Sequence, residues 1–425
     1  MIKRLRSYPM IVLLLPLVAA ILLFNHFRPV ANQPTEEQTY GFIVTGAPTS
    51  TAKCERFETR LLSGGKVYLY VLRDSTRTLP SYGDTIVART TIEWFHSTGR
   101  AFTAQYLLLP SSSPRVPLQT RLYQRLAAAG LEGDELATVG ALTLGYKEDL
   151  DPDLKHRFQA SGAAHVLAVS GLHTGIIYGL LLWLLTLGGR FKPLHEHRLH
   201  RWLNSLIIIA AMWGYAWLTG MTPSVVRAVL MVTIFEVGRM LYRQAISLNT
   251  IAAAAVVILL VRPADLWSVS FQLSFAATFS IVLFAKSIER FTFLRELSYT
   301  WYGRVLSWII GIVLISLAAQ LGTMPITMYY FGQVSTYFLL TNLIVLPIAT
   351  FLVPCGLISI ALGGCTLGLM FSKITGTLAW AMNHSVEWIE QLPGSTFPAS
   401  INGTMIVVYY VLLVLFYLLI APKRS

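Results

Sequence analysis

Polar residues that could do chemistry interrupt an otherwise apolar stretch near the middle of the chain. Residues 161–189 read SGAAHVLAVSGLHTGIIYGLLLWLLTLGG, with His165, Ser170, Gly171 and His173 in the first half. Hydrocarbon strongly disfavours polar groups that lack partners, so imidazoles and hydroxyls here need protein or water around them. The stretch is also longer than the about 20 apolar residues that cross a bilayer. We therefore expect it to line a cavity in a membrane domain.

Two kinds of chemistry are compatible with these residues. On a continuous helix, His165 and His173 would border one cavity, because their spacing turns a helix by about 80°. Ser170 and His173 are close enough in sequence to form the serine–histidine pair of a hydrolase. However, no GxSG sequence surrounds Ser170, and no nearby acidic residue completes a metal set. We therefore expect these residues to have a packing role rather than a catalytic one, and we expect no enzyme activity, metal or other cofactor.

Arg227 is a separate candidate, because it follows Thr222-Pro223-Ser224. A hydroxyl at the N-cap and a proline in the first turn indicate the start of a helix. A cation there opposes the helix dipole, so a negative group should balance it. Free N–H groups and a guanidinium together form an anion site suited to phosphate. Alternatively, Arg227 extends to the membrane interface or pairs with Asp265.

The elements that would hold these residues are membrane helices. The chain is 54% hydrophobic and 13% charged, with a net charge of +12, which lies outside the range of soluble globular proteins. We predict a polytopic α-helical membrane protein with about 9–10 transmembrane or interfacial helices. The short segment 248–261 and the amphipathic segment 366–390 could instead be re-entrant or interfacial. The candidate segments are 8–24, 161–189, 202–219, 223–241, 248–261, 269–286, 305–331, 338–362, 366–390 and 403–421.

Basic residues predict the orientation of these segments. If all of them cross, fifteen lysines and arginines fall on one side, and Arg262 alone lies in the short loops of the other. The positive-inside rule then places both termini in the cytoplasm, residues 1–30 as an uncleaved membrane anchor, and residues 31–160 outside. Glu236 and Arg239 are interpreted as an intrahelical pair. The polar residues that this topology collects on the outer side are His165, Ser170, His173, Arg227, Gln272, Ser274 and Asn342.

Residues 31–115 have the character of a soluble domain. The runs GFIVTG, CERFETRLL, KVYLYVL, TIVARTTI and FTAQYLLL predict a small five-stranded β-barrel. Such barrels often bind oligonucleotides through basic and aromatic side chains. Nearby acidic residues nearly cancel the charge, so ordinary solvated strand positions are the alternative. Residues 116–160 predict amphipathic helices that connect this domain to the polytopic domain, 161–425. The candidate contacts to single-stranded DNA are Arg56, Arg60, Lys66, Tyr68, Tyr70 and Arg73.

Four motifs resemble those of the ComEC competence proteins, which carry single-stranded DNA across the inner membrane of naturally transformable bacteria. HVLAVSGLHTG resembles the family's H-x-x-A-V-S-G-L-H motif, and TPSVVRAVLM is similar to S-P-S-x-x-R-A. RPADLWSVSFQLSF resembles P-x-x-L-x-x-x-x-F-Q-L-S-F, and NLIVLPIATFLVP resembles N-x-x-x-x-P. The resemblance implies an OB fold that handles incoming DNA in the outer domain. It also implies a channel core, or DNA pathway, that contains His165, Ser170, Gly171, His173, Arg227, Gln272, Ser274 and Asn342.

The resemblance also implies partners for this protein. Single-stranded DNA, membrane lipids and a DNA-uptake apparatus outside are expected. A cytoplasmic ATPase or single-stranded-DNA-binding proteins are expected inside, because the chain has no GxxxxGK[ST] loop. Many relatives continue into a metallo-β-lactamase-like domain with an H-x-H-x-D-H motif. This sequence is expected to be a form without that domain, so that any nuclease is a separate protein. Some relatives have a disulfide in the outer domain, but Cys54 is the only cysteine in the outer domain of this chain.

Two other functions remain open at this point. One is a transporter of a small or lipid-linked anion that uses the same outer residues in an alternating-access motion. The other is an intramembrane hydrolase built on Ser170 and His173.

Overall fold

The computed structural model divides the chain into two compact units, residues 20–121, and residues 1–19 with 122–425. The predicted anchor of residues 1–30 lies almost wholly outside the described part of the chain. The residues that the structure describes are 14, 16–21, 37–45, 49–50, 54–62, 65–72, 80, 83–95, 98–109, 118–167, 169–187, 198–241, 247–288 and 300–420.

The smaller unit is a β-sheet with the strand order β6-β7-β4-β3-β1-β5-β8, in which β2 pairs with β3. β4 and β7 run parallel, whereas β3 and β4 run antiparallel. All five predicted runs fall on strands, but the fourth also enters β6 and the fifth joins the end of β7 to β8. The described strands are β1 (Gln38–Val44), β2 (Thr49–Ser50), β3 (Cys54–Leu61), β4 (Lys66–Leu72), β5 (Thr85–Thr90), β6 (Ile92–Phe95), β7 (Thr98–Thr103) and β8 (Leu107–Leu109).

Side chains in this sheet alternate between a buried and an outward face, as the strand period of two requires. In β3 the alternation places Phe57, Thr59 and Leu61 inside and Arg56 and Arg60 outside. The buried core consists of Phe42, Val44, Phe57, Leu61, Val67, Leu69, Val71, Ile86, Ala88, Ile92 and Ala101.

The larger unit is helical, and a short ribbon of β9 (Gln333–Ser335) and β10 (Thr396–Pro398) lies within it. The predicted apolar segments from 202 onward coincide with helices to within a few residues. The described helices are α1 (Leu118–Ala128), α2 (Gly133–Leu144), α3 (Pro152–Ala160), α4 (Gly171–Leu187), α5 (Arg198–Leu218), α6 (Pro223–Met240), α7 (Ser247–Val261), a 3-10 turn (Pro263–Trp267), α8 (Val269–Ile288), α9 (Trp301–Phe331), α10 (Phe338–Leu362), α11 (Thr366–Glu390) and α12 (Gly403–Ile420).

Two of the described helices, α9 and α10, are long and apolar enough to cross a bilayer. Shorter apolar helices lie at 171–185, 248–261, 269–284 and 403–417. Exposed aromatic side chains mark both ends of α9, with Trp301 and Trp308 near its start and Tyr330 and Phe331 at its end. Aromatic residues are enriched at the two interfaces of a membrane, so this distribution fits a spanning helix.

Helix α2 differs from the expected amphipathic connector, because the residues from Ala137 to Leu144 are all buried. It packs against α10 and α11. A Cβ added at Gly356 would lie 2.7 Å from the Cγ2 of Thr143. Thr138 also donates a hydrogen bond of 2.9 Å to the Oδ1 of Asn383. Small residues let helix backbones approach closely, and this makes α2 part of the helical core.

The predicted continuous span 161–189 is also corrected, because the helix begins only at Gly171. The preceding residues form turns, and Gly162 has φ of +90°. Only glycine adopts this conformation without strain. His165 therefore lies before the helix that carries His173, and the predicted shared helical face does not exist.

Candidate functional site

Most of the predicted pathway residues share one structural position, because they lie within the first turns of a helix or directly before it, whereas His165 lies six residues before α4. Helix N-termini present free N–H groups and a partial positive charge. Four such ends therefore carry the candidate residues. They are His165, Ser170, Gly171 and His173 around the start of α4, Arg227 in α6, Gln272 and Ser274 in α8, and Asn342 in α10.

Direct contacts link the starts of α4, α6 and α8 to one another. Thr341, at the start of α10, instead donates a hydrogen bond of 2.7 Å to the carbonyl oxygen of Ser161, directly after α3. At Gly171, the first residue of α4, an added Cβ would lie 4.0 Å from the Cβ of Ala228 in α6. The start of α6 in turn contacts the start of α8 through Arg227. The structure thus gathers in one place residues that are far apart in the sequence.

Ser170 and His173 form a reciprocal helix cap. The Ser170 backbone N–H donates to the Nδ1 of His173 at 3.2 Å, and the Ser170 Oγ accepts from the Leu172 N–H at 3.3 Å. This is the pattern of a capping box, with a histidine in the place of the usual Glu or Gln. The Ser170 Oγ also lies 3.2 Å from the same Nδ1. The proximity that indicated a hydrolase is therefore accounted for by the start of α4.

Arg227 is buried, at 3% exposure, between the starts of α6 and α8. Its Nη2 donates to the carbonyl oxygen of Ser270 at 2.8 Å, to the Ser270 Oγ at 2.9 Å and to the Ser224 Oγ at 3.3 Å. Ser224 and Ser270 lie in the first turns of the two helices. Among the described residues, no ion pair joins Arg227 to Asp265. The guanidinium therefore lies at two positive helix ends and is held by neutral oxygen atoms.

Three of the other predicted residues make local contacts. The His165 Nδ1 lies 3.2 Å from the carbonyl oxygen of Gly162. The Gln272 Nε2 donates to the carbonyl oxygen of Leu266 at 3.1 Å, which ties α8 to the 3-10 turn before it. The carbonyl oxygen of Ser274 accepts a hydrogen bond within α8. These contacts stabilise the helix starts and do not by themselves indicate a ligand.

Three buried side chains at these helix starts each keep one polar atom without a hydrogen-bond partner among the described residues. They are the Nε2 of His173, the Nε of Arg227 and the Oδ1 of Asn342. The Nδ2 of Asn342 donates to the Oγ of Ser316 at 3.1 Å, so only one end of its amide is used. Buried polar atoms are normally hydrogen-bonded, so each of these three atoms calls for a partner such as water or a ligand.

Lys147 lies close enough to His173 for its charge to act on the imidazole, and the sequence analysis missed it. It follows α2 in a turn where a Cβ added at Gly145 would lie 3.4 Å from the Cγ2 of Val169, just before α4. Partial desolvation and the nearby charge of Lys155 lower the pKa of Lys147. Nothing in the sequence spacing predicts this proximity.

The described residues contain no group of three metal-ligating side chains.

The outward face of β3, β4 and β7 carries basic and aromatic side chains, with Glu58 between Arg56 and Arg60. The Arg56 guanidinium lies 5.3 Å from the centre of the Tyr68 ring, and Tyr70 stacks on Phe102 at 4.7 Å. Arg100 lies beside Tyr68 in the register of β4 and β7. Phe102 and Arg100 were missed, because their run is too short to fix its register from sequence.

The other predicted contacts of this face are less well defined. Arg60 is exposed on β3, and Lys66 lies opposite it on β4. Only the backbone position of Lys66 is described, and Arg73 lies outside the described residues.

The chain thus combines apolar helices, polar residues at helix starts that contact one another, and a separate β-sheet unit. This combination defines a membrane protein that gathers hydrogen-bonding groups at one site. The chain belongs to the Competence protein family, whose model matches residues 142–423. All the linked helix starts fall within that range.

Curated relatives extend this comparison. The chain is 28% identical to ComE operon protein 3 of Bacillus subtilis (strain 168) over 300 residues, which is 69% of this chain and 35% of that protein. It is 26% identical to the uncharacterized protein YcaI of Escherichia coli (strain K12) over 227 residues, 51% of this chain and 28% of that one. The chain thus matches only about a third of the length of these relatives. No solved structure matches it significantly.

Proposed function

We propose that this protein is an inner-membrane channel for the uptake of single-stranded DNA during natural transformation. The observation that carries the proposal is the position of Arg227. A buried guanidinium with an unpartnered Nε lies where two helix N-termini meet, and phosphate is the anion that such an arrangement favours. Membership of the Competence protein family supports the same function.

The chemistry of a moving polyanion agrees with a single cation at this position. A strand that bound tightly at every phosphate would stall, so a passage for DNA should offer few fixed positive charges. Arg227 and the helix dipoles would attract phosphates, while hydroxyl and amide groups of Ser274, Gln272 and Asn342 would let the bases pass. In this proposal Ser170 and His173 shape the start of α4 and are not catalytic, so the protein is not an enzyme.

The proposed topology is multi-pass, with both termini in the cytoplasm and residues 31–160 outside. The distribution of lysines and arginines and the aromatic residues at both ends of α9 support it. Segments 248–261 and 366–390 are helices whose bounds match the prediction. Accessibility of single cysteines placed in the loops would test each crossing.

The outer unit is proposed to be an OB-like barrel that holds the incoming strand. Contact between β5 and β7, where the Thr90 Oγ1 donates to the carbonyl oxygen of Phe102 at 2.7 Å, supports closure, because these strands are far apart in the sheet order. The stacked pair Tyr70 and Phe102 and the Arg56–Tyr68 contact support base stacking and phosphate binding. A DNA-uptake apparatus outside, a cytoplasmic ATPase or single-stranded-DNA-binding proteins, and a separate nuclease are the proposed partners.

A transformation assay tests the proposal against a transporter of a small or lipid-linked anion. Cells that lack the gene should still bind radiolabelled DNA at the surface but should transfer none into the cytoplasm. The gene supplied in trans should restore transfer, and excess small phosphorylated compounds should not inhibit it. Normal transfer in the deleted strain, or inhibition by such compounds, would refute the channel.

A further inference from the structure

A second buried polar cluster lies in helices α4, α5 and α6, at residues that the proposed pathway does not use. Glu236 of α6 is fully buried. Its Oε1 accepts hydrogen bonds from the Tyr178 hydroxyl at 2.6 Å and from the Arg239 Nη1 at 2.8 Å. Its Oε2 accepts from the Ser205 Oγ at 2.7 Å. One carboxylate therefore joins three helices.

These hydrogen bonds satisfy both oxygen atoms of the Glu236 carboxyl group. A charge inside the membrane domain is costly unless it is paired and fully hydrogen-bonded. Arg239 pairs with Glu236, and two hydroxyls complete its shell with bonds of 2.6 and 2.7 Å. The predicted intrahelical pair is confirmed, but it is only part of the cluster. Tyr178 and Ser205 could not be assigned to it without the tertiary structure.

The cluster gives α4 and α6 a second point of contact. The first is Gly171 against Ala228, beside the residues of the proposed pathway. Glu236 lies nine residues beyond Arg227 on α6, a rise of about 13 Å. A polar contact this far from the first helps to fix both the rotation and the register of α4 on α6.

We propose that Glu236 is a positioning residue that acts through Tyr178 to hold the Ser170–His173 end of α4 beside Arg227. Its importance for DNA transfer rests on the proposed function, but the geometric claim does not. The hydrogen bond from Ser205 to Glu236 instead holds α5 against α6. Because α5 and α6 are also joined by the Trp213 Nε1 and the Thr233 Oγ1 at 3.2 Å, loss of the Ser205 hydroxyl should matter less.

Disulfide cross-linking between α4 and α6 tests the claim directly. Cysteines replace Gly171 and Ala228, whose Cβ positions are 4.0 Å apart and thus suited to a disulfide. The native Cys54, Cys355 and Cys365 are replaced by serine. Tyr178→Phe removes only the α4 bond and leaves the ion pair of Glu236 with Arg239 intact. Ser205→Ala is the matched control, since it removes one hydroxyl from the same carboxylate on the α5 side.

Tyr178→Phe should slow cross-linking in membranes about tenfold, the effect expected for a lost hydrogen bond to a charged group, whereas Ser205→Ala should leave the rate near that of the parent. Transfer of labelled DNA, measured without the added cysteine pair, should fall in Tyr178→Phe and persist in Ser205→Ala. An unchanged cross-linking rate in Tyr178→Phe, or equal slowing in both variants, would overturn the positioning role. If the parent transfers no DNA, the proposed function fails, while the cross-linking comparison still decides the role of Glu236.

Discussion

The Nη2 of Arg227 lies 2.8 Å from the carbonyl oxygen of Ser270, so one guanidinium joins the first turns of two helices that are separated by more than forty residues. Its hydrogen bonds run to hydroxyl and carbonyl oxygens, and no carboxylate among the described residues lies within ion-pair distance, while the charge of Asp265 acts on it from farther away. That combination of a fixed position and a net positive charge is what a phosphate site needs.

Arg227→Ala should lower the transfer of DNA into the cytoplasm by at least about tenfold, because hydrogen bonds to charged groups typically contribute 1.5–3 kcal/mol. The amount of folded protein should change little, since the hydroxyls of Ser224 and Ser270 lie 3.4 Å apart and can bond to each other. Arg262→Ala, which removes an exposed arginine just before the 3-10 turn, is the control and should retain transfer. Normal transformation by Arg227→Ala would remove this residue from the mechanism.

Ser170→Ala should destabilise the protein by about 1 kcal/mol, because the start of α4 loses its side-chain cap. Ser170→Asn should restore most of that loss, since asparagine also accepts a hydrogen bond from the first-turn N–H groups. Thermal unfolding of the purified protein in detergent measures both changes. If asparagine were as destabilising as alanine, the capping role of Ser170 would be wrong.

Phe102→Ala should weaken the binding of single-stranded DNA to the full-length protein by about tenfold, since each stacked base contributes roughly 1–3 kcal/mol. Leu107→Ala is the matched control, because Leu107 is an equally exposed apolar residue on β8. Arg56→Ala should reduce the slope of log affinity against log salt by about one. Equal losses in Phe102→Ala and Leu107→Ala would argue against a stacking face on β4 and β7.

Tyr409→Phe should destabilise the helical unit by about 1 kcal/mol. Pro325 has no N–H, so the carbonyl oxygen of Leu321 loses its usual partner in α9, and the Tyr409 hydroxyl donates to it at 3.0 Å. Tyr410→Phe is the control. Its hydroxyl bonds to the Gly322 carbonyl oxygen at 2.7 Å, but that oxygen still faces the N–H of Ile326. Unfolding in detergent should therefore be affected more by the first substitution, and the reverse order would contradict the role of Pro325.

The sequence by itself determined the helices and the nature of their polar starts. Runs of apolar residues bounded by Gly, Pro and hydroxyl residues are local signals, so the bounds of α6, α10 and α11 match the prediction closely. The i to i+3 pair of Glu236 and Arg239 is local too. Alternation likewise placed Arg56 and Tyr70 on the outward face of strands.

Only the tertiary structure decided which residues meet, because contacts between distant segments leave no periodic trace in a single sequence. The burial of α2, the bond from Thr341 to Ser161 and the use of Glu236 by three helices all depend on side chains more than thirty residues apart. The hydrogen bonds between Ser170 and His173 are also visible only there. Their spacing fits a hydrolase or a cap equally well, and the hydrogen bond from the Ser170 N–H to the His173 Nδ1 favours the cap.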